Sequence, residues 1–279
     1  MNSESEQRVA DWILKACLAD VMSVKPGNVA PGREFSDATV DDFVRSAEVS
    51  APLLACHAAE GVGRAVYLAA AATRQAVGHN TNLGILLLVA PLAAVPLSIS
   101  LQDGIETVLR GLTVEDADWA YRAIRLAEPG GLGESSAQDI SETPTETLRQ
   151  CMAHATDHDL IARQYTNGFQ GVLQDGLTWR RQSVATQPEE HQIGWVALRL
   201  MSEFGDTLVA RKCGTATSEE VRMRAQFVLE RGWPETEAGV AAWTAFDVWL
   251  RDAEHRRNPG TTADMIAAIE FAHLREYED

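Results

Sequence analysis

Between Val9 and Met22 apolar side chains fall at Val9, Trp12, Ile13 and Ala16, the spacing that lines one face of an α-helix, and the pattern stops where Lys25-Pro26-Gly27 begins. A loop follows to about Ala38. Thr39 then stands three residues before Asp42 in a capping-box arrangement, in which the two side chains satisfy free amides at a helix start. The next helix is expected to run to about His57, and Gly61 to Val77 reads as another. Leu83 to Ile99 is uncharged and apolar, but it is marginal in length for a bilayer span and carries Pro91 and Pro96. It predicts a buried, kinked core helix. Further helix starts are signalled by Thr113 with Asp116, by Pro144 with Glu146, by Ser218 before Glu219 and Glu220, and by Thr262 after Pro259-Gly260. Strand-like alternation is absent from the sequence. The pattern therefore predicts an all-α chain, one globular domain over residues 1–279 with about ten helices. The Gly-, Ser- and acid-rich stretch from Glu128 to Thr143 reads as an internal linker or active-site loop.

Composition supports a substantial core: apolar residues make up 46% of the chain, while glycine and proline together contribute only 30 of 279 residues, which argues against disorder. A formal charge of −16 repels polyanions at long range and argues against general nucleic-acid binding. Cys17, Cys56, Cys151 and Cys213 are widely spaced with no CxxC pair, so they read as buried small hydrophobes. The polar, acidic start from Met1 to Gln7 lacks the features of a secretory signal, and the expected location is cytoplasmic, without a membrane anchor.

Candidate chemistry falls in loops where glycine or proline adjoins charged or amide side chains at a helix boundary. These are Lys25-Pro26-Gly27-Asn28-Val29, Gly78-His79-Asn80-Thr81-Asn82-Leu83-Gly84, Gly205-Asp206-Thr207 with Arg211-Lys212, and Asn258-Pro259-Gly260-Thr261-Thr262-Ala263-Asp264, with Gly131-Leu132-Gly133-Glu134 as a weaker fifth. A glycine-bearing loop that enters a helix lets phosphate oxygens approach free amides and the positive end of the helix dipole. Asn80-Thr81-Asn82 and Pro259-Gly260-Thr261-Thr262 fit that description, and each also fits plain helix capping. Neither has the spacing of a P-loop. Lys25 and Arg211-Lys212 supply positive charge, with Arg33 and Arg45 near Lys25 in sequence. Asp206, Glu134 and Asp264 sit beside or close to glycine, where a carboxylate can bind magnesium together with phosphate or act as a base, capping being the alternative for Asp264. His154 and His158 have the spacing of a metal pair without the glutamate of HExxH. His57, His79, His191 and His255 read as surface or helix-end positions. No GxSxG elbow, Cys-His signature or dinucleotide fingerprint is present.

In this order, Lys25-Pro26-Gly27-x-Val29, Asp42-Phe43-x-Arg45-Ser46-Ala47, Asn80-Thr81-x-x-Gly84, Gly133-Glu134, Gly205-Asp206-Thr207 and Asn258-Pro259-Gly260 with Ala263-Asp264 resemble the triphosphoribosyl-dephospho-CoA synthase family. The resemblance covers most of the chain. Two departures mark a divergent branch. Asn82-Leu83 stands where decarboxylase-linked members carry His-Lys, and Ala210-Arg211-Lys212-Cys213-Gly214 replaces a Ser-Arg-Gly-Gly type of segment.

The resemblance implies a transferase that joins the ribose C1′ of ATP to the 2′-hydroxyl of 3′-dephospho-CoA and expels adenine. An oxocarbenium-like state of that kind needs carboxylates near C1′, a base for the hydroxyl and a proton for adenine. On this reading Asp206 and Glu134 act as the carboxylates and hold Mg2+, with Asp264 as the alternative. Lys25, Arg45, Arg211 and Lys212 neutralise the triphosphate. Asn80 and Thr81 hold it or the ribose, and Gly27, Gly84 and Gly260 allow close approach. The substitution at Asn82-Leu83 keeps open a different alcohol acceptor, such as a ribitol-bearing pterin-cofactor precursor. A non-catalytic nucleotide-binding protein is a further alternative, and a homo-oligomer is compatible with the sequence.

Overall fold

The computed structural model describes residues 3–128, 139–252 and 254–278. Among them are fourteen α-helices and no strand. The first six are α1 (Ser3–Met22), α2 (Val40–His57), α3 (Val62–Val77), α4 (Leu83–Ala93), α5 (Leu101–Gly111) and α6 (Val114–Ala127). Then come α7 (Leu148–Ala153), α8 (Leu160–Asn167), a π-helical turn at Gly171–Gly176, α9 (Leu177–Thr186) and α10 (Glu189–Phe204). The chain ends with α11 (Thr207–Cys213), α12 (Thr215–Glu230), α13 (Glu237–Leu250) and α14 (Gly260–Tyr277).

The all-α expectation holds, and the capping boxes at Thr39/Asp42 and Thr113/Asp116 are both formed. The count of about ten is too low because several helices are short and carry little periodicity: α7, α8 and α11 have 6, 8 and 7 residues. Their starts are set by local caps at Thr147 (in a capping box with Gln150), Asp159 and Asp206. The helix expected over Leu83–Ile99 is shorter than that, and turns follow it. This helix, α4, stops at Ala93, and Ser100 caps the separate helix α5.

Helix α4 is apolar on every side and is buried along nearly its whole length, as a helix without a polar face must be. Pro91 inside it cannot donate to the carbonyl of Leu87, and the hydroxyl of Tyr165 takes that place at 2.6 Å. Its last carbonyls are met by Arg275 of α14, which reaches the oxygens of Leu92 at 3.0 Å and Val95 at 2.9 Å. Near the other end of α14, the Asp264 carboxylate lies against Gly84, so close that a Cβ there would come within 2.1 Å of it. The two contacts fix the arrangement: α4 and α14 lie side by side and parallel, and both N-termini open on the same side of the core. The main hydrophobic cluster draws residues from Val9 to Leu274, and no helix among the described residues is long and apolar enough to cross a membrane.

Candidate active site

The paired N-termini of α4 and α14 open into a cavity of about 1130 Å³. Its floor comprises Asn80 to Gly84 and Gly260, Thr261 and Asp264, with Lys25 and Asp20 at the end of α1 beside it. Arg211 and Lys212, from the last turn of α11, also line it. One wall, built from α6 to α8, is mainly apolar, with Tyr121, Ile124, Leu148, Met152 and Ile161, and carries His154 and His158 as well. The other is smaller and aromatic, with Val29, Phe35, Phe43 and His255.

Local hydrogen bonds build the floor. Asn80 accepts from the amide of Leu83 at 3.0 Å, capping α4. The segment is tied to α2 by Thr81 to Ser46 at 2.6 Å and Asn82 to Ser50 at 3.3 Å. Lys25 is buried (1% exposed), pairs with Asp20 at 3.2 Å and donates to the carbonyls of Asp20 and Ser23, so it caps the end of α1 while leaving its charge at the cavity edge. Arg211 pairs with Asp159 at 3.2 Å, and Asp159 in turn caps α8.

Eight of the residues singled out by sequence thus share one cavity: Lys25, Asn80, Thr81, Gly84, Arg211, Lys212, Gly260 and Asp264. Three others lie elsewhere. Asp206 is buried behind α11 and α14: one carboxylate oxygen accepts from the amide of Val209 at 3.0 Å, and the other from the amide and hydroxyl of Thr262, each at 2.8 Å. With its oxygens taken, it serves the joint between two helices. Gly27 has a φ of +77°, donates its amide to Asp247 at 2.8 Å, and is packed so tightly that a Cβ would meet Leu250 at 2.7 Å. Arg45 is exposed on α2 and does not line the cavity. Glu134 lies outside the described residues.

Asp264 is the opposite of Asp206. No hydrogen-bond donor among the described residues reaches it, burial pushes its carboxyl well above the ordinary range, and the charges of Asp20 and Asp206 push it further in the same direction. Burial also raises Asp20, against the pull of Lys25, and raises Asp206 against the pull of its amide bonds. Sequence reading missed Asp20, which looks like one more polar position in a long helix, and it read His79 and His255 as surface or helix-end positions when both line the cavity, as do His154 and His158.

Two parallel helix dipoles facing one cavity, cations at its rim and a donorless carboxylate on its floor define an all-α enzyme for a phosphorylated substrate. Residues 6–279 match the ATP:dephospho-CoA triphosphoribosyl transferase family over nearly the whole chain. The chain belongs to this family: it is a transferase that moves the triphosphoribosyl group of ATP to dephospho-CoA. A solved structure of a candidate triphosphoribosyl-dephospho-CoA synthase from Archaeoglobus fulgidus shares the fold, with a TM-score of 0.67 and 22% identity over 85% of this chain and 98% of that one. No curated protein matches the sequence.

Proposed function

We propose that the cavity holds ATP and 3′-dephospho-CoA together, with the triphosphate over the N-termini of α4 and α14 and Asp264 as the carboxylate that works at the reacting carbon. The observation that carries this reading is the placement of Asp264, without a donor, between two helix N-termini that favour anions. The bond between C1′ and the adenine nitrogen breaks, its electron pair leaves with adenine, and the 2′-oxygen of the acceptor bonds to C1′. In its ionised form, which the raised carboxyl reaches only above the ordinary carboxylate range, Asp264 opposes the positive charge that develops at C1′, takes the hydroxyl proton and passes it on to the departing adenine, so that protons balance. Arg211 and Lys212 balance the triphosphate charge, while the charge of Lys25 is matched by Asp20. The mainly apolar wall of α6 to α8, with polar groups at His154 and His158, suits the amide-bearing pantetheine arm of the acceptor.

Magnesium enters as MgATP, coordinated mainly by phosphate oxygens. Asp20 is already neutralised by Lys25 and Asp206 is saturated by amides, so neither is free to form a protein cage for it. The reaction belongs to a cytoplasmic enzyme, where ATP and the acceptor are both available.

The test is chromatographic detection of free adenine from MgATP with and without 3′-dephospho-CoA. Release that depends on dephospho-CoA supports the reading. Release only with another alcohol moves the acceptor elsewhere, and no release with either would reduce the protein to a nucleotide binder.

A further inference from the structure

The aromatic wall of the cavity has features that the reaction as described leaves unused. Phe35 and His255, 220 residues apart in sequence, stack with ring centroids 4.0 Å apart and planes only 16° from parallel, and both line the cavity. Phe35 belongs with Val21 and Val29 to a small apolar cluster separate from the main core, and Phe43 and Ala38 pack on it. A satellite cluster of this kind, under a loop and open to a cavity, builds a wall rather than a core.

The pair is held in place from both sides. Asp247 on α13 accepts from the amide of Gly27 at 2.8 Å, from Arg33 at 2.8 Å and from Arg251 at 3.0 Å. Arg251 also donates to the carbonyl of Arg33 at 3.1 Å, and its guanidinium lies 5.6 Å from the centre of the Phe35 ring. The loop that carries Phe35 is thus tied to the end of α13, just before the segment that carries His255. His255 itself has a φ of +51°, in the left-handed region that side chains seldom adopt. Backbone strain of that kind persists where the surroundings fix it, and it gathers at ligand sites. The imidazole makes no hydrogen bond among the described residues, and its Nδ1 is buried without a partner. Its ring face is therefore what the position presents. Phe35 is buried, so the face left for a third ring is that of His255, which is half-buried.

We propose that His255, backed by Phe35, is a stacking platform for a purine, making this wall the base-recognition subsite of the cavity. It deepens the reading of the site as one for ATP and dephospho-CoA and rests on it for the source of the purine. Both substrates carry adenine: in the donor the base is attached to the carbon that reacts, and in the acceptor to the carbon next to the reacting hydroxyl. Either base must therefore lie close to the floor, and His255 precedes the N-terminus of α14 by five residues. Flat stacking on a histidine is indifferent to the phosphate chain, which separates its contribution from that of the cations.

Calorimetric binding of ATP, 3′-dephospho-CoA and inorganic tripolyphosphate to the intact protein and to two variants tests the platform. His255→Asn keeps a residue that tolerates the left-handed backbone and removes the ring. His255→Phe keeps a ring and removes the nitrogens. The expected result is that His255→Asn weakens one of the two nucleotides on the order of tenfold or more, that His255→Phe restores it to within about threefold, and that tripolyphosphate binds all three proteins alike. Whichever nucleotide responds identifies whose adenine is held. The platform is overturned if both nucleotides bind the asparagine variant as they bind the wild type, if phenylalanine rescues nothing, or if tripolyphosphate weakens in parallel. These are binding measurements, so failure of adenine release in the wild type would count against the proposed reaction and leave this result to be judged by itself.

Discussion

Asp206 and Asp264 both meet the first turns of α14, and they are treated in opposite ways. Around Asp206 the chain has supplied a donor for each oxygen, two from amides at the starts of α11 and α14 and one from the Thr262 hydroxyl. Around Asp264 there is a glycine, the charges of three further carboxylates, Asp20, Asp206 and Asp159, against that of Arg211, and no hydrogen-bond donor among the described residues, and it lines a cavity. The same residue type is a structural clasp in one place and, in the proposed reaction, a reactive group in the other. The difference lies in whether the negative charge is already spent on the protein's own amides. Sequence position does not separate them, since each stands beside a glycine loop at a helix start.

The largest expected effect that would break this contrast is on turnover. Asp264→Asn is isosteric and is expected to lower transfer on the order of a thousandfold while the protein stays folded. Retention of more than a tenth of wild-type adenine release would remove Asp264 from the chemistry. Next comes stability: Asp206→Ala strands buried donors on two helices and is expected to cost about 3 kcal/mol in urea unfolding. A loss below about 1 kcal/mol would show that Asp206 is not the clasp described.

The contrast is sharpened by pH. Because the folded-state pKa of Asp264 is raised, the native protein binds more protons there than the unfolded chain, so its stability falls as pH rises from the ordinary carboxyl value of 3.8 toward the raised one. Asp264→Asn lacks that penalty. Its unfolding free energy in urea is expected to match the wild type near that lower value and to exceed it increasingly as pH rises toward the raised one, by at most about 1.4 kcal/mol per pH unit, and to level off above it. A gap between the two proteins that does not change with pH would contradict the raised carboxyl.

The smallest effects concern the cations. Arg211→Gln, at the cavity, is expected to raise the KM for ATP by about fivefold, roughly 1 kcal/mol for a partly exposed charge. Arg45→Ala, on the outer face of α2, is expected to leave it unchanged. Equal effects of the two would mean that net charge rather than position governs ATP binding.

Much of the fold was legible along the chain. The capping boxes at Thr39 and Thr113 needed only residues three apart, and the apolar run of α4 announced burial whatever surrounded it. Legibility failed where an element is short, as in α7 and α11, or where its end is decided by a distant group, as when Arg275 takes the carbonyls that follow α4. The loop motifs pointed to the floor of the site, but they also marked Gly27, Arg45 and Asp206, whose work is packing, surface charge and clasping.

The sequence by itself determined the helical class, the buried character of α4, the main glycine-bearing loops and the family to which their order belongs, because each is written in residues a few positions apart or in their succession. Tertiary structure alone decided that α4 and α14 run parallel with both N-termini on one cavity, that Asp264 and not Asp206 is left without a donor, and that His255 comes to rest on Phe35. Those outcomes depend on contacts between segments from 56 to about 220 residues apart. Burial and the competition for hydrogen-bond donors, which set a carboxylate's charge and reach, exist only once those segments have met.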